Sequence, residues 1–272
     1  MSLKLMYITN KPKVAKIAED NTVDRIWVDL EKYGKNDRQR GLNTVKSDHT
    51  MDAVSIIRSS IDRAELLVRI NPLHDRSKDE IDEVISRGAD VVMLPYFDKP
   101  DDACRFVGYV NGRARTLLLV ETIAAENNID EIIDRSGADE VHIGLNDLHI
   151  QYGMKFMFEL LANGKVEELC VKIKKHGIPY GFGGIARLDE GLLPGRHIIA
   201  EHYRLGSTIA ILSRSFYDTW LNDDYEEIER VFRYGMQEMR EYEKRLEGES
   251  REIFETNRKR VIAEVNSIII PQ

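Results

Sequence analysis

The chain is 272 residues long, near the roughly 250 residues of one (β/α)8 barrel and also compatible with two small domains. Hydrophobic residues at 42% and charged residues at 32% describe an ordinary globular protein and exclude a disordered or collagen-like chain. The net charge of -8 argues against nucleic acid as a partner, because phosphate binding is driven by clustered Lys and Arg.

At the start, residues 1–10 lack a basic segment followed by a long apolar run. No apolar window reaches the roughly 18 residues of a membrane span, so a cytoplasmic location without membrane contact is expected. Short apolar runs with β-branched content at 3–8, 26–28 and 66–70 predict three strands, and amphipathic patterns at 13–20 and 51–63 predict the helices between them. A further helical pattern, 78–87, ends at Gly88 and leads through Ala89 and Asp90 into the apolar run 91–95. A helix over 101–110 and a strand over 116–120 follow, and Ser136-Gly137-Ala138-Asp139 leads into a strand over 141–144. Gly88 and Gly137 suit the position just past a helix, where a left-handed backbone is cheap only for Gly. A helix over 166–176 and strands over 178–182 and 202–205 bring the strand count to eight. Alternation of this kind means parallel strands with crossover helices, and eight of them favour a closed (β/α)8 TIM-type barrel over an open sheet.

Cys104 and Cys170 fall in helical stretches without metal-binding spacing and read as free thiols of a reducing compartment. From residue 222 the pattern becomes one long charged helix with Ile228, Phe232, Met236, Met239, Tyr242 and Leu246 at three- and four-residue steps. A break at 247–252, containing Gly248, precedes a second helical piece over 253–270. Residues 1–220 are thus expected to form the barrel, and 221–272 a helical extension. The apolar stripe of that extension needs cover, either from its own barrel or from a partner subunit of a homo-oligomer.

Catalytic groups of such barrels stand at the C-terminal ends of strands, where the βα loops converge over the axis. That rule nominates Asp29 and Glu31 after the second strand, Arg69 and Asn71 after the third, Glu121 after the fifth, and Gly144, Leu145, Asn146 and Asp147 after the sixth. Acidic groups around one small space repel unless charge balances them, and hard oxygen ligands suit Mg2+ or Mn2+. Each residue also has a plainer role: Asp147 capping a helix, Glu121 favouring a helix dipole, Arg69 in a structural ion pair, Asp29 bracing a loop.

The motifs Val28-Asp29-Leu30-Glu31, Val68-Arg69-Ile70-Asn71, Leu119-Val120-Glu121-Thr122 and Ile143-Gly144-Leu145-Asn146-Asp147-Leu148 resemble those of the HpcH/HpaI aldolase and citrate lyase beta-chain family. So do the segment 88–95 with its Met-Leu-Pro ending, and Gly153. The resemblance covers roughly residues 3–220. It implies a modified barrel in which Glu121 and Asp147 ligate Mg2+ or Mn2+, with the carboxylate and 2-oxo oxygen of a substrate completing the coordination. Arg69 would lie against the oxygen that becomes an enolate, Gly144, Leu145 and Asn146 would hold the carboxylate through backbone N–H groups, and Asp29 and Glu31 would line the site.

Lys32 stands where pyruvate aldolases of that family carry His, directly after the acidic motif. The base is therefore sought among Lys32, His49, His74 and His149, with His49 in a βα loop of the active face; His142, inside a strand, reads as structural. The segment between Pro95 and Arg115 is short compared with the aldolase branch, whereas Lys35, Arg38 and Arg40 resemble the basic residues that follow the acidic motif in the acyl-CoA branch. The expected activity is metal-dependent carbon–carbon cleavage of a 2-oxo acid through a pyruvate-type enolate. The alternatives are cleavage of an acyl-CoA, or a barrel that binds a metal or small acid without turnover.

Overall fold

Each short apolar run is followed by a polar turn and an amphipathic helix, so each strand must return to lie parallel to its predecessor. A computed structural model, which describes residues 2–33, 48–219 and 223–270, has this arrangement closed on itself. The strands β1 (Lys4–Ile8), β2 (Arg25–Asp29), β3 (Glu65–Arg69), β4 (Val91–Leu94), β5 (Arg115–Val120), β6 (Glu140–Ile143), β7 (Tyr180–Ile185) and β8 (Ile209–Leu212) pair in sequence order, and β8 returns to β1.

Around them run α1 (Pro12–Asp20), α2 (Met51–Arg58), α3 (Ser77–Ser86), α4 (Pro100–Val110), α5 (Ile123–Asn127), α6 (Ile129–Ser136), α7 (Leu145–Gln151), α8 (Glu159–Ala162), α9 (Lys165–Lys175) and α10 (Gly195–Leu205). The second predicted helix is shorter than 51–63, because Ser59 and Ser60 turn their hydroxyls back onto the carbonyls of Ser55 and Ile56 at its end.

The eighth strand lies after the run 202–205 that was expected to form it. Residues 202–205 form the last turn of α10, whose buried face carries Ile198, Ile199, His202 and Leu205 at helical spacing. Gly206, with φ 74°, ends that helix, and the eighth strand starts after it at Ile209. The seventh strand also runs beyond its predicted end at 182, through Gly183 and Gly184, where its register with β8 shifts.

Side chains alternate between the barrel interior and the helical layer. At the N-terminal end the interior is polar: Arg25 on β2 is fully buried and donates from Nη1 and Nη2 to both carboxylate oxygens of Glu140, each at 2.6 Å. Its Nε donates to Glu65 at 2.6 Å. Strands β2 and β6 stand opposite each other in a barrel of eight, so the Arg25–Glu140 pair spans the interior. Around and above it the interior is filled by a cluster of Met6, Trp27, Leu67, Val91, Met93, Leu117, Leu119 and Ile209.

The extension is two helices, α11 (Tyr225–Leu246) and α12 (Arg251–Ile269). Asp224 caps the first by accepting the N–H groups of Glu226 and Glu227. Ile228, Phe232, Met236, Met239 and Leu246 are buried, because α11 packs on α1 and α10 of the same chain while α12 packs on α10 and α8. The apolar stripe is therefore covered by its own barrel. Glu243 of α11 accepts the backbone N–H of Leu3 at 2.7 Å, fastening the helix beneath β1.

Candidate active site

A cavity of about 280 Å3 opens at the C-terminal end of the strands. Its wall carries Arg69, Glu121, Gly144, Leu145, Asn146 and Asp147, all of them nominated by sequence; its other lining residues include Trp27, His142, Met157, Gly183, Gly184, Ser213 and Arg214. A larger depression of about 640 Å3 lies at the opposite end, but Arg63 and Arg240 there are paired with Asp20 and Asp24. The chemistry belongs at the former, where strand ends converge.

Glu121 follows β5 directly and is 4% exposed. Its Oε1 accepts the N–H of Tyr96 at 3.0 Å, a residue held at φ 44° in the left-handed region, which costs a non-glycine residue strain. Thr122, not Glu121, caps the following helix, through the N–H of Ala125. The carboxylate lies against Gly144: a Cβ there would stand 2.7 Å from Glu121 Cβ and 2.9 Å from its Oε2. Asp147, 7% exposed, sits in the first turn of α7, and it is Gly144 that occupies the cap position. Asn146 Nδ2 approaches Asp147 Oδ1 at 3.4 Å.

Arg69 closes β3, directly paired with Asp29 of β2. Its Nε and Nη2 donate to Asp29 Oδ1 and Oδ2 at 2.7 and 2.8 Å, Nη2 stands 3.2 Å from Glu31 Oε2, and the guanidinium lies 4.9 Å from the Trp27 ring centre. Burial works against its charge, but the Asp29 and Glu31 carboxylates outweigh it and raise its pKa above the ordinary value. Asp29 and Glu31, expected to line the site, instead stand behind Arg69 and fix its position.

The expected bases lie elsewhere. Lys32 is exposed, its N–H bonded to Asn71 Oδ1 at 2.8 Å, and with the buried His49 it lines a separate hollow of about 150 Å3. His49 Nδ1 accepts the Asp29 N–H at 2.9 Å. His74 contacts Glu80 at 3.1 Å, and a ring nitrogen of His149 donates to the Leu145 carbonyl at 3.1 Å. None of these four lines the central cavity. Lys35, Arg38 and Arg40 lie outside the described residues. Cys104 and Cys170 are free thiols, and burial raises the pKa of Cys170.

Glu121 and Asp147 bring two hard oxygen donors to one cavity. Among the described residues no group of three or more His, Cys, Asp or Glu side chains is placed to hold a metal. Two carboxylates on one cavity are the number with which Mg2+ is commonly held, water and substrate oxygens filling the remaining positions.

The architecture resembles solved structures. An HpcH/HpaI aldolase from Desulfitobacterium hafniense DCB-2 matches with TM-score 0.62 and 14% identity over 84% of this chain and 93% of that one. An HpcH/HpaI aldolase/citrate lyase family protein from Burkholderia cenocepacia J2315 matches with TM-score 0.61 and 15% identity over 88% and 95%. The citrate synthase SbnG matches with TM-score 0.60 and 14% identity over 88% and 94%. At such identities the likeness concerns the fold. No curated protein matches in sequence. Among the described residues no helix is long and apolar enough to cross a membrane. The family model for HpcH/HpaI aldolase/citrate lyase matches residues 4–159, more than half of the chain and the stretch that holds Arg69, Glu121 and Asp147, and the chain therefore belongs to that family.

Proposed function

We propose that this chain is a divalent-cation-dependent carbon–carbon lyase of the aldolase type, acting on a small 2-oxo acid. Membership of a family of aldolases and lyases supports the reaction class. The observation that carries the rest is the placing of Arg69, Glu121 and Asp147 on one cavity of about 280 Å3, a size suited to a small acid.

Glu121 and Asp147 would hold Mg2+ or Mn2+. Such a cation, when bound, supplies Lewis acidity toward a carbonyl oxygen and charge balance for the two carboxylates. Arg69, fixed by the Asp29 fork, points a permanent positive charge at the cavity without needing to reorganise, and so stabilises negative charge that develops on a 2-oxo oxygen as the neighbouring bond breaks. The first-turn N–H groups of Leu145 and Asn146, which the helix leaves without internal partners, suit the substrate carboxylate. Lys32 and His49 do not line this cavity, so the proton-transfer role falls to a group closer to the substrate or to water held by Glu121 or Asp147.

The test is exchange of pyruvate methyl protons with deuterated solvent, followed by NMR in the presence of Mg2+ or Mn2+. Exchange is expected to require the cation and to drop by about 10²-fold or more in Glu121→Gln and in Asp147→Asn. Exchange that persists in both variants, or that ignores chelator, overturns the assignment.

A further inference from the structure

The two carboxylates of the cavity come from different segments, Glu121 from the end of β5 and Asp147 from the first turn of α7, so their separation depends on what ties those segments together. Gln151 closes α7 four residues after Asp147. Residues at that spacing lie on the same face of a helix, about 6 Å apart along its axis. The Gln151 side chain bonds outside its own helix in two directions. Its Oε1 accepts the N–H of Ile123 at 2.9 Å, two residues after Glu121, and its Nε2 donates to the Tyr96 hydroxyl at 3.3 Å. Ile123 begins α5, so its N–H has no partner within that helix.

Tyr96 completes the connection. Its backbone N–H donates to Glu121 Oε1 at 3.0 Å, while its ring carries the hydroxyl to Gln151. The carbonyl oxygen of the next residue, Phe97, accepts the Thr122 hydroxyl at 2.8 Å, so residues 96 and 97 are fastened in turn to 121 and 122. A tyrosine at φ 44° persists only where its surroundings over-determine that conformation, and bonds at both ends of the residue do so. At the other end of α7 the Gly144 N–H donates to the Val120 carbonyl at 2.8 Å. Asp147 therefore stands between two ties to the segment that bears Glu121.

We propose that Gln151 and Tyr96 are positioning residues: they form a bracket across the loops after β4, β5 and β6 that fixes the separation of Glu121 and Asp147 and so favours Mg2+ over the larger Ca2+. The proposal rests on the cation-site reading above. Neither residue lines the cavity, and Gln151 is exposed, so both act through the loops they join. Mg2+ demands near-ideal octahedral geometry, whereas Ca2+ accepts longer and more variable ligand positions; loosening the two carboxylates therefore penalises Mg2+ more.

Free Mn2+ gives a sharp electron paramagnetic resonance signal that is lost on binding, which yields its Kd on the full chain without substrate or turnover; Mg2+ and Ca2+ are then read by competition. Gln151→Ala, at an exposed position, is expected to keep the parent melting temperature and to weaken Mg2+ about tenfold, with a smaller loss for Ca2+. Tyr96→Phe removes one hydroxyl and keeps the backbone N–H. It should move the ratio of Mg2+ to Ca2+ affinity in the same direction and add nothing in the Gln151→Ala background. A ratio unchanged in both single variants overturns the bracket, and if Glu121→Gln and Asp147→Asn weaken Mn2+ in the same assay the cation site stands without it. Mn2+ binding that is absent from the parent chain, or that survives both carboxylate variants, overturns the cation site, and the bracket falls with it.

Discussion

Glycine 144 sets the position of the carboxylate that the proposed chemistry depends on most. The Glu121 side chain occupies the space a Cβ at residue 144 would fill, with two of its atoms under 3.0 Å from that point. Gly144→Ala must therefore push the carboxylate away from its bond to the Tyr96 N–H. Overpacking of this kind costs about 1–3 kcal/mol, which a folded barrel can survive, while a displacement near 1 Å at a reacting group costs about 10²-fold in rate. The expected outcome is a protein with a native circular dichroism spectrum, a lowered melting temperature and pyruvate exchange reduced to the level of Glu121→Gln. Unchanged exchange would mean that Glu121 is free to move without cost. Sequence singled out both residues because each ends a recognisable apolar run, but it could not pair them. That Asp29 and Glu31 serve Arg69 was equally hidden, since it follows from the direct register of β2 on β3, a contact 40 residues apart.

Elements were legible where local signals agreed and lost where they competed. Gly137 ends α6 in a left-handed conformation, as its spacing before Val141 suggested. The same signal, Gly206 before the run 208–212, marks β8, but the apolar and aromatic residues at 202–205 looked like a strand. They are the buried face of a helix whose period is visible only when Ile198 and Ile199 are counted with them. Misplacing β8 concealed its C-terminal end, and with it Ser213 and Arg214 of the cavity. The α11 stripe told the opposite story: its period was clear, and its cover was decided by tertiary packing. Glu243 of that helix is 3% exposed and satisfies the Leu3 N–H, the Tyr203 hydroxyl and Arg240. Glu243→Ala leaves the Leu3 N–H buried and unbonded, and should cost about 1–3 kcal/mol. Urea unfolding should show the loss with unchanged slope, while pyruvate exchange at 25 °C is retained because the site lies at the other end of the barrel. A stability within about 0.5 kcal/mol of the parent would show that the helix is held by its apolar stripe alone.

At the scale of the molecule the order of strands was readable because parallel pairing and short connections leave few other topologies for eight apolar runs. The contents of the barrel were not, because interior position depends on register around the whole ring. His142 reads as structural within its strand, but Arg25 and Glu140, which flank the apolar runs 26–28 and 141–144, carry no sign of burial until the ring is closed. Their burial has a consequence for acid stability. His142 and His202 are both fully buried, the latter stacked on Phe182 with ring centres 3.9 Å apart. Burial lowers the His142 pKa to about 4, and burial together with His142 lowers that of His202 to about 3. In the unfolded chain both would take a proton near pH 6.5. The folded state therefore binds fewer protons than the unfolded state over this range, and stability falls as pH drops from about 6.5 through about 4 to 3. Two carboxylates add a later loss. Glu19 and Glu65 are held at about 2: burial raises each, but the N–H groups of Ala64, Arg63 and Asp62 with Lys16 outweigh it for Glu19, and Arg25 with Arg115 outweigh it for Glu65. Their contribution is present above about pH 4.5 and disappears as pH falls toward 2. Thermal unfolding followed from pH 8 to 3 should thus be flat to about 6.5 and then decline in two stages, with up to ~1.4 kcal/mol per pH unit from each histidine in the first stage. His142→Phe should make that first stage shallower and leave the second in place. A melting temperature that holds constant from pH 6.5 to 5 would mean that the interior admits a proton without opening, and that the floor of the cavity is wetter than its packing implies.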